Sequence, residues 1–250
     1  MCSHVWISKE VFDWSIGPAS GSYVDYDSYI RAYEIWEHSH NLIMYPDSSF
    51  DLADGIANLK RSINQRLHLI EKVYKLKSIS FPDRPKGYLE LLESYGVVRP
   101  FILKSLLIVR NDIEHNDAKP PIEDRCKELV DVVWYFLKST DQIVQVTKDD
   151  IEFSLINEKG EETHYGFTIT LNRNDYSQCE IWGWFPTELI SIDEIKDFLK
   201  INVTDIHGKE RWEQEGKHSE KKETDKWIRG EPVFEGNDLR LLIRDILLAY

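Results

Sequence analysis

The hydrophobic period changes once along this chain, at Thr147-Lys148-Asp149-Asp150, and that change limits the folds open to it. Before it, apolar residues recur every three or four positions, the repeat of helices with one buried face. After it, they alternate with polar ones between turn-forming clusters, the repeat of half-buried strands. Leu52, Ile56, Leu59, Ile63, Leu67, Ile70, Val73 and Tyr74 make the longest helical stripe, opened by Ser48 or Ser49 as a cap and running to about Lys77. Lys60, Arg61, Arg66, Lys72 and Lys75 read as its opposite, solvated face.

The flanking segments follow the same logic. Tyr29, Ala32, Tyr33, Trp36 and His40 predict a helix from Asp25 that Pro46 closes. Tyr88–Tyr95 is a short helix ended by Gly96. Val98–Pro121, VRPFILKSLLIVRNDIEHNDAKPP, carries proline where a first turn accepts it and a double proline as its stop. Its body, Phe101, Ile102, Leu103, Leu106, Leu107 and Ile108, is apolar enough to predict a central, mostly buried helix. Another helix is expected over 122–146. Beyond the switch, strands are expected over 151–156, 164–171, 178–185, 201–206 and 227–234. A capping box at Ser191 and Glu194 predicts a short helix to Leu199, and a last helix spans 237–248. Residues 207–224 are charge-dense and read as an exposed loop. Residues 1–24 read as an aromatic strand or lid.

The fold class that follows is a mainly α helical bundle of four to five helices followed by a small α+β domain with an antiparallel sheet. The domains are 1–148, the bundle with its N-terminal aromatic extension, and 149–250, of unknown role.

Net charge is −13, which argues against a general nucleic-acid binder. Between Lys60 and Arg110, however, eleven Lys and Arg face four Asp and Glu, a local excess of seven. A basic middle of this kind suits a local polyanion site or two solvated helix faces. Cys2, Cys126 and Cys179 fit no disulfide or zinc pattern and accord with a reducing cytoplasm. No stretch is long and apolar enough to span a membrane, and the first residues lack a signal peptide's pattern.

Arg110-Asn111-Asp112-Ile113-Glu114-His115 is the cluster that carries chemistry. Arg keeps its charge at any working pH and forks two hydrogen bonds onto phosphate. His, with an ordinary pKa of about 6.5, takes or gives a proton at neutral pH. Asn111 can donate to phosphate or orient the His. Asp112 and Glu114 could tune His115, attract metal, or hold Arg110 as plain structure. Taken singly, His115 also suits a helix C-terminus and Arg110 a pair with Glu114 one turn on.

This hexapeptide resembles the R-x(4–6)-H motif of the HEPN superfamily, in which the residue after the Arg is usually Asn, Asp or His. The resemblance covers about residues 50–146. Arg31…His38, Arg61…His68 and Arg211…His218 share the bare spacing, but none of them combines an Asn after the Arg, the apolar body and the proline stop. The resemblance implies a metal-independent endoribonuclease that leaves a 2′,3′-cyclic phosphate. Its catalytic residues would be Arg110, His115 and Asn111, with Lys104, Arg99 and Glu114 on the substrate side. It implies no cofactor, a homodimer with the site at its interface, RNA as substrate, and a toxin or anti-phage role with an antitoxin or defence partner. Some members only bind RNA or partners, which leaves a non-catalytic interaction module as the alternative. No sequence element supports a nucleotide transferase. The pair His38 and His40 is not a metal site, since alternate helix positions face apart.

Overall fold

A computed structural model describes residues 4–116, 118–211 and 222–249, apart from the side chains of Ile102, Glu114, His115 and Ser177. The chain divides into a helical unit, Tyr23–Thr147, and a sheet unit built from the segments on either side of it. Among the described residues no helix is long and apolar enough to cross a membrane.

The sheet unit overturns the expectation of a helical molecule with a small appended domain. Its strands are β1 (His4–Ser8), β2 (Ser15–Tyr23), β3 (Val146–Ile156), β4 (Glu162–Thr170), β5 (Glu180–Phe185), β6 (Ile190–Ser191), β7 (Phe198–His207) and β8 (Lys226–Val233). They form one eight-stranded sheet in the order β2-β3-β4-β5-β8-β7-β1-β6. From β3 through to β6 every pairing is antiparallel. The N-terminal stretch is therefore neither an extension of the helices nor a lid: it supplies two strands, and β1 pairs with β7 almost two hundred residues on.

That topology forces curvature. β1 and β2 lie six positions apart in the sheet, about 29 Å if it were flat. The link between them, Lys9–Asp13, is a 3-10 turn, which with its flanks spans only about 17 Å. The sheet curls to bring them within reach. Phe12 and Trp14 on that link pack against Phe153, Phe167 and Phe185, with Phe153 stacked on Phe167 at 4.6 Å. Gly183 permits the tight strand approach: a Cβ there would stand 2.2 Å from the Gly166 carbonyl oxygen.

The helix expected after Ser191 is absent. The Ser191 hydroxyl accepts from Asp193 N–H at 3.1 Å and turns the chain locally, and Asp197 takes a left-handed φ of 65° before β7 starts. The expected terminal helix is present as α7 (Asp238–Leu248), burying Leu242, Ile243, Ile246 and Leu247. Lys148 donates to the Ile246 and Ala249 carbonyls at its end. The charge-dense loop falls largely on 212–221, outside the described residues.

The helical unit contains α1 (Tyr26–Met44), α2 (Ser49–Tyr74), α3 (Tyr88–Ser94), α4 (Pro100–Asn116), α5 (Glu123–Ser139) and α6 (Asp141–Gln145). Asp25 caps α1 through Ser28 N–H, and Ser48 with Asp51 forms a capping box on α2. Two readings are corrected here. Arg66 is not on a solvated face: it is fully buried and paired with Asp141 at 2.9 Å. It also donates to the Leu137 carbonyl and to Thr140 Oγ1, which is why the single helix expected over 122–146 breaks into α5 and α6 at Thr140. Nor is α4 a mostly buried helix. Leu103 and Leu106 are buried, but Phe101 is 82% and Ile108 62% exposed. The packing of α4 against α2, α3 and α5 leaves a seven-residue apolar repeat facing outward.

Candidate functional site

The end of α4 sets up the candidate site. Pro100 opens the helix, its missing N–H costing nothing in the first turn, and the helix runs to Asn116. Asn116 Nδ2 donates to Asp112 Oδ1 at 3.1 Å, and Ala118 N–H reaches the Asp112 carbonyl at 3.2 Å. These bonds finish the last turn before Pro120-Pro121. They engage Asp112 with the helix end rather than with Arg110.

Arg110 is half-buried, and its Nη1 donates to Asn111 Oδ1 at 3.1 Å. The amide therefore helps orient the guanidinium, a role different from the two expected of it, donation to phosphate and orientation of the His. Opposite stands Lys60 of α2, also half-buried. Burial and then the neighbouring Arg110 charge hold the Lys60 ammonium below its ordinary pKa. Lys60 escaped the motif because its partner is fifty residues away. Only its place in the basic 60–110 segment pointed to it.

The remaining site residues divide. The side chains of His115 and Glu114 lie outside the described residues; their backbone belongs to the last turns of α4. On a regular helix, positions 110 and 115 are about 7.5 Å apart along the axis and about 140° apart around it. Lys104 is engaged by Glu90 at 2.7 Å; the pair raises the Lys104 pKa and lowers that of Glu90. It also sits about 120° around α4 from Arg110. Arg99 is exposed and edges an apolar groove of about 460 Å³ with Val97, Leu103, Tyr135 and Phe136. The structure thus gathers Arg110, Asn111 and Lys60, and does not bring Lys104 or Arg99 to them.

Among the described residues no group of three or more His, Cys, Asp or Glu side chains could hold a metal ion. Comparison with known proteins finds no counterpart: no family model matches the chain, and no curated protein or solved structure is similar to it.

Proposed function

We propose that this chain is a metal-independent endoribonuclease that cleaves RNA through its own 2′-OH and acts as a homodimer in the cytoplasm. The observation that carries the reading is the guanidinium of Arg110, hydrogen-bonded to Asn111, with Lys60 of α2 near enough to feel its charge, in an otherwise acidic protein. Two neighbouring cations of this kind suit a phosphate ligand. The resemblance of Arg110–His115 to the HEPN motif supplies the reaction.

In that reaction the 2′-oxygen forms a bond to the adjacent phosphorus while the bond from phosphorus to the 5′-oxygen breaks. A base takes the 2′-OH proton and an acid returns one to the departing 5′-oxygen, leaving a 2′,3′-cyclic phosphate and a 5′-OH. His115 is the residue for proton transfer. Arg110 and Lys60 meet the charge that grows on the non-bridging oxygens. The roughly 140° between positions 110 and 115 disfavours one copy of α4 serving one phosphate alone. Two copies across a two-fold axis would provide an Arg and a His from each side, and the outward Phe101 and Ile108 would be the apolar contact between them. A toxin or anti-phage role, with an antitoxin or defence partner, suits such an enzyme.

The test is cleavage of RNA by purified protein in EDTA. Arg110→Ala and His115→Ala are each expected to lower the rate by about 10²- to 10⁴-fold. Cleavage that persists in both variants overturns the proposal. The second reading, a non-catalytic module, is favoured by the same exposed Phe101 and Ile108; it gives stable complexes and no turnover by the unaltered chain.

A further inference from the structure

The residues of α2 that follow Lys60 are not needed by the reaction just described, yet they continue its charge. Lys60, Asn64, His68 and Lys75 fall within about 80° of one another around the helix, and Lys72 flanks them. Two clefts open along this face. One, of about 530 Å³, is lined by Asn64, His68, Lys72, Lys75, Lys77 and Tyr88; the other, of about 470 Å³, shares His68 and Lys72 and adds Arg31 and Gln65. The Lys77 ammonium lies over the Tyr88 ring at 4.7 Å, so an aromatic surface stands beside the cations. Two acids also line the clefts, Glu71 and Asp27. Glu71 is partly engaged, its carboxylate accepting Lys77 N–H at 3.3 Å.

The ordinary reason for lysines here is the negative end of the α2 dipole. That accounts for Lys72 in the last turn. It does not account for His68 a turn earlier or for Lys77 beyond the helix; Arg31 on α1 is paired with Glu34 at 2.8 Å. A second observation concerns Lys75, which closes α2 in the left-handed region at φ 46°. Gly or Asn is the usual residue at such a position, and Lys75 places a long, exposed cationic side chain there at the end of the face.

We propose that this face of α2 is a track for the phosphate backbone of single-stranded RNA, running from Lys60 beside Arg110 to Lys75. It rests on the ribonuclease reading and adds to it where the substrate strand lies. Fifteen residues of helix from Lys60 to Lys75 rise about 22 Å. That length holds about four to six nucleotides, between the 3.4 Å spacing of a stacked strand and a more extended one. A trinucleotide seated at Arg110 therefore does not reach Lys72 and Lys75, and a twelve-nucleotide strand does.

The test measures binding without cleavage, by fluorescence anisotropy of 5′-labelled 2′-O-methyl oligoribonucleotides of three and twelve nucleotides, which lack the nucleophile. The full-length double variant Lys72→Gln, Lys75→Asn keeps a residue that tolerates the left-handed position. On the twelve-mer its log K against log salt slope should fall by about 1.4, two phosphate contacts at about 0.7 each, with an affinity loss of about tenfold at low salt. The trinucleotide should bind both proteins alike, and the charge-keeping Lys72→Arg, Lys75→Arg variant should retain the slope. An unchanged slope on the twelve-mer, an equal loss on the trinucleotide, or no binding by the unaltered chain overturns the track. A reduced slope together with failure of the unaltered chain to cleave unmethylated RNA supports the track and overturns only the catalytic reading.

Discussion

Replacing Arg66 with Met keeps most of the buried stem and deletes the guanidinium. Arg66 has no solvent exposure, and its Nη1 serves Asp141 at 2.9 Å, the Leu137 carbonyl at 3.1 Å and Thr140 Oγ1 at 3.2 Å. Its guanidinium carbon also stands 5.4 and 5.5 Å from the centres of the Tyr29 and Tyr33 rings. Removing one member of a buried pair costs about 3–5 kcal/mol because the other charge is left desolvated. Asp141 keeps some compensation: its side chain is 14% exposed, Tyr33 OH donates to it at 2.7 Å, and Lys138 is 3.6 Å away. The loss should therefore fall at the low end, about 3 kcal/mol. Urea unfolding followed by circular dichroism at the helical minimum reads it as a lower midpoint. Asp141→Asn alone should cost less, and adding it to Arg66→Met should cost far less than the sum, since the two share one interaction. A loss under about 1 kcal/mol for Arg66→Met, or additive effects, would refute the view that this pair holds α5 and α6 on α2.

Three further outcomes are expected. The Asp25 carboxylate accepts Ser28 N–H at 2.9 Å, which draws its pKa below the ordinary 3.8. A depressed carboxylate stabilises fully above its ordinary value and loses that effect as pH falls through the folded one. Asp25→Ala should thus melt lower than the unaltered chain at pH 7, and the gap should narrow as pH falls below 3.8; a gap independent of pH counts against the cap. Burial pushes the Cys179 thiol up to about 11 and raises Cys126 as well, so native protein at pH 8 should react with a disulfide reagent at no more than one thiol, and at three once unfolded. Phe101→Glu with Ile108→Glu should weaken self-association at least about 100-fold in sedimentation, and an unaltered chain that sediments as a monomer at high concentration removes α4 as a dimer face.

Local patterns carried most of the elements and little of their assembly. The period of α2 and its Ser48 cap, the Gly96 stop and the strands from β3 to β5 are set by neighbours in sequence, and they could be read there. β1 could not be placed, because its partners β7 and β6 lie far along the chain and its own five residues carry no record of them. Arg66 shows how a legible signal is misread. It lies three residues after Ile63 and four before Ile70, on the buried stripe itself, and its charge alone argued for solvent. Asp141 and the α5 carbonyls are what overrode that charge. At the site, Arg110 and Asn111 were readable as a motif, whereas Lys60 enters only through the packing of α4 on α2.

The net charge and the proposed substrate are reconciled by where the charge sits. The helical unit has 16 Lys and Arg against 19 Asp and Glu, and the rest of the chain 15 against 25, so ten of the thirteen excess negative charges lie outside the helical unit. Within the helical unit the segment 60–110 runs the other way, by seven positive charges. At physiological salt an exposed charge acts over about 8 Å. A phosphate at Lys60 and Arg110 is then governed by the charges within that reach, and one at Lys72 and Lys75 by theirs, Glu71 and Asp27 included. The acidic total thus opposes loose association with nucleic acid across the surface, and the proposed track confines a strand to the basic row on α2. A chain with this distribution gains discrimination from its negative charge, because a polyanion binds only where several cations are reached at once.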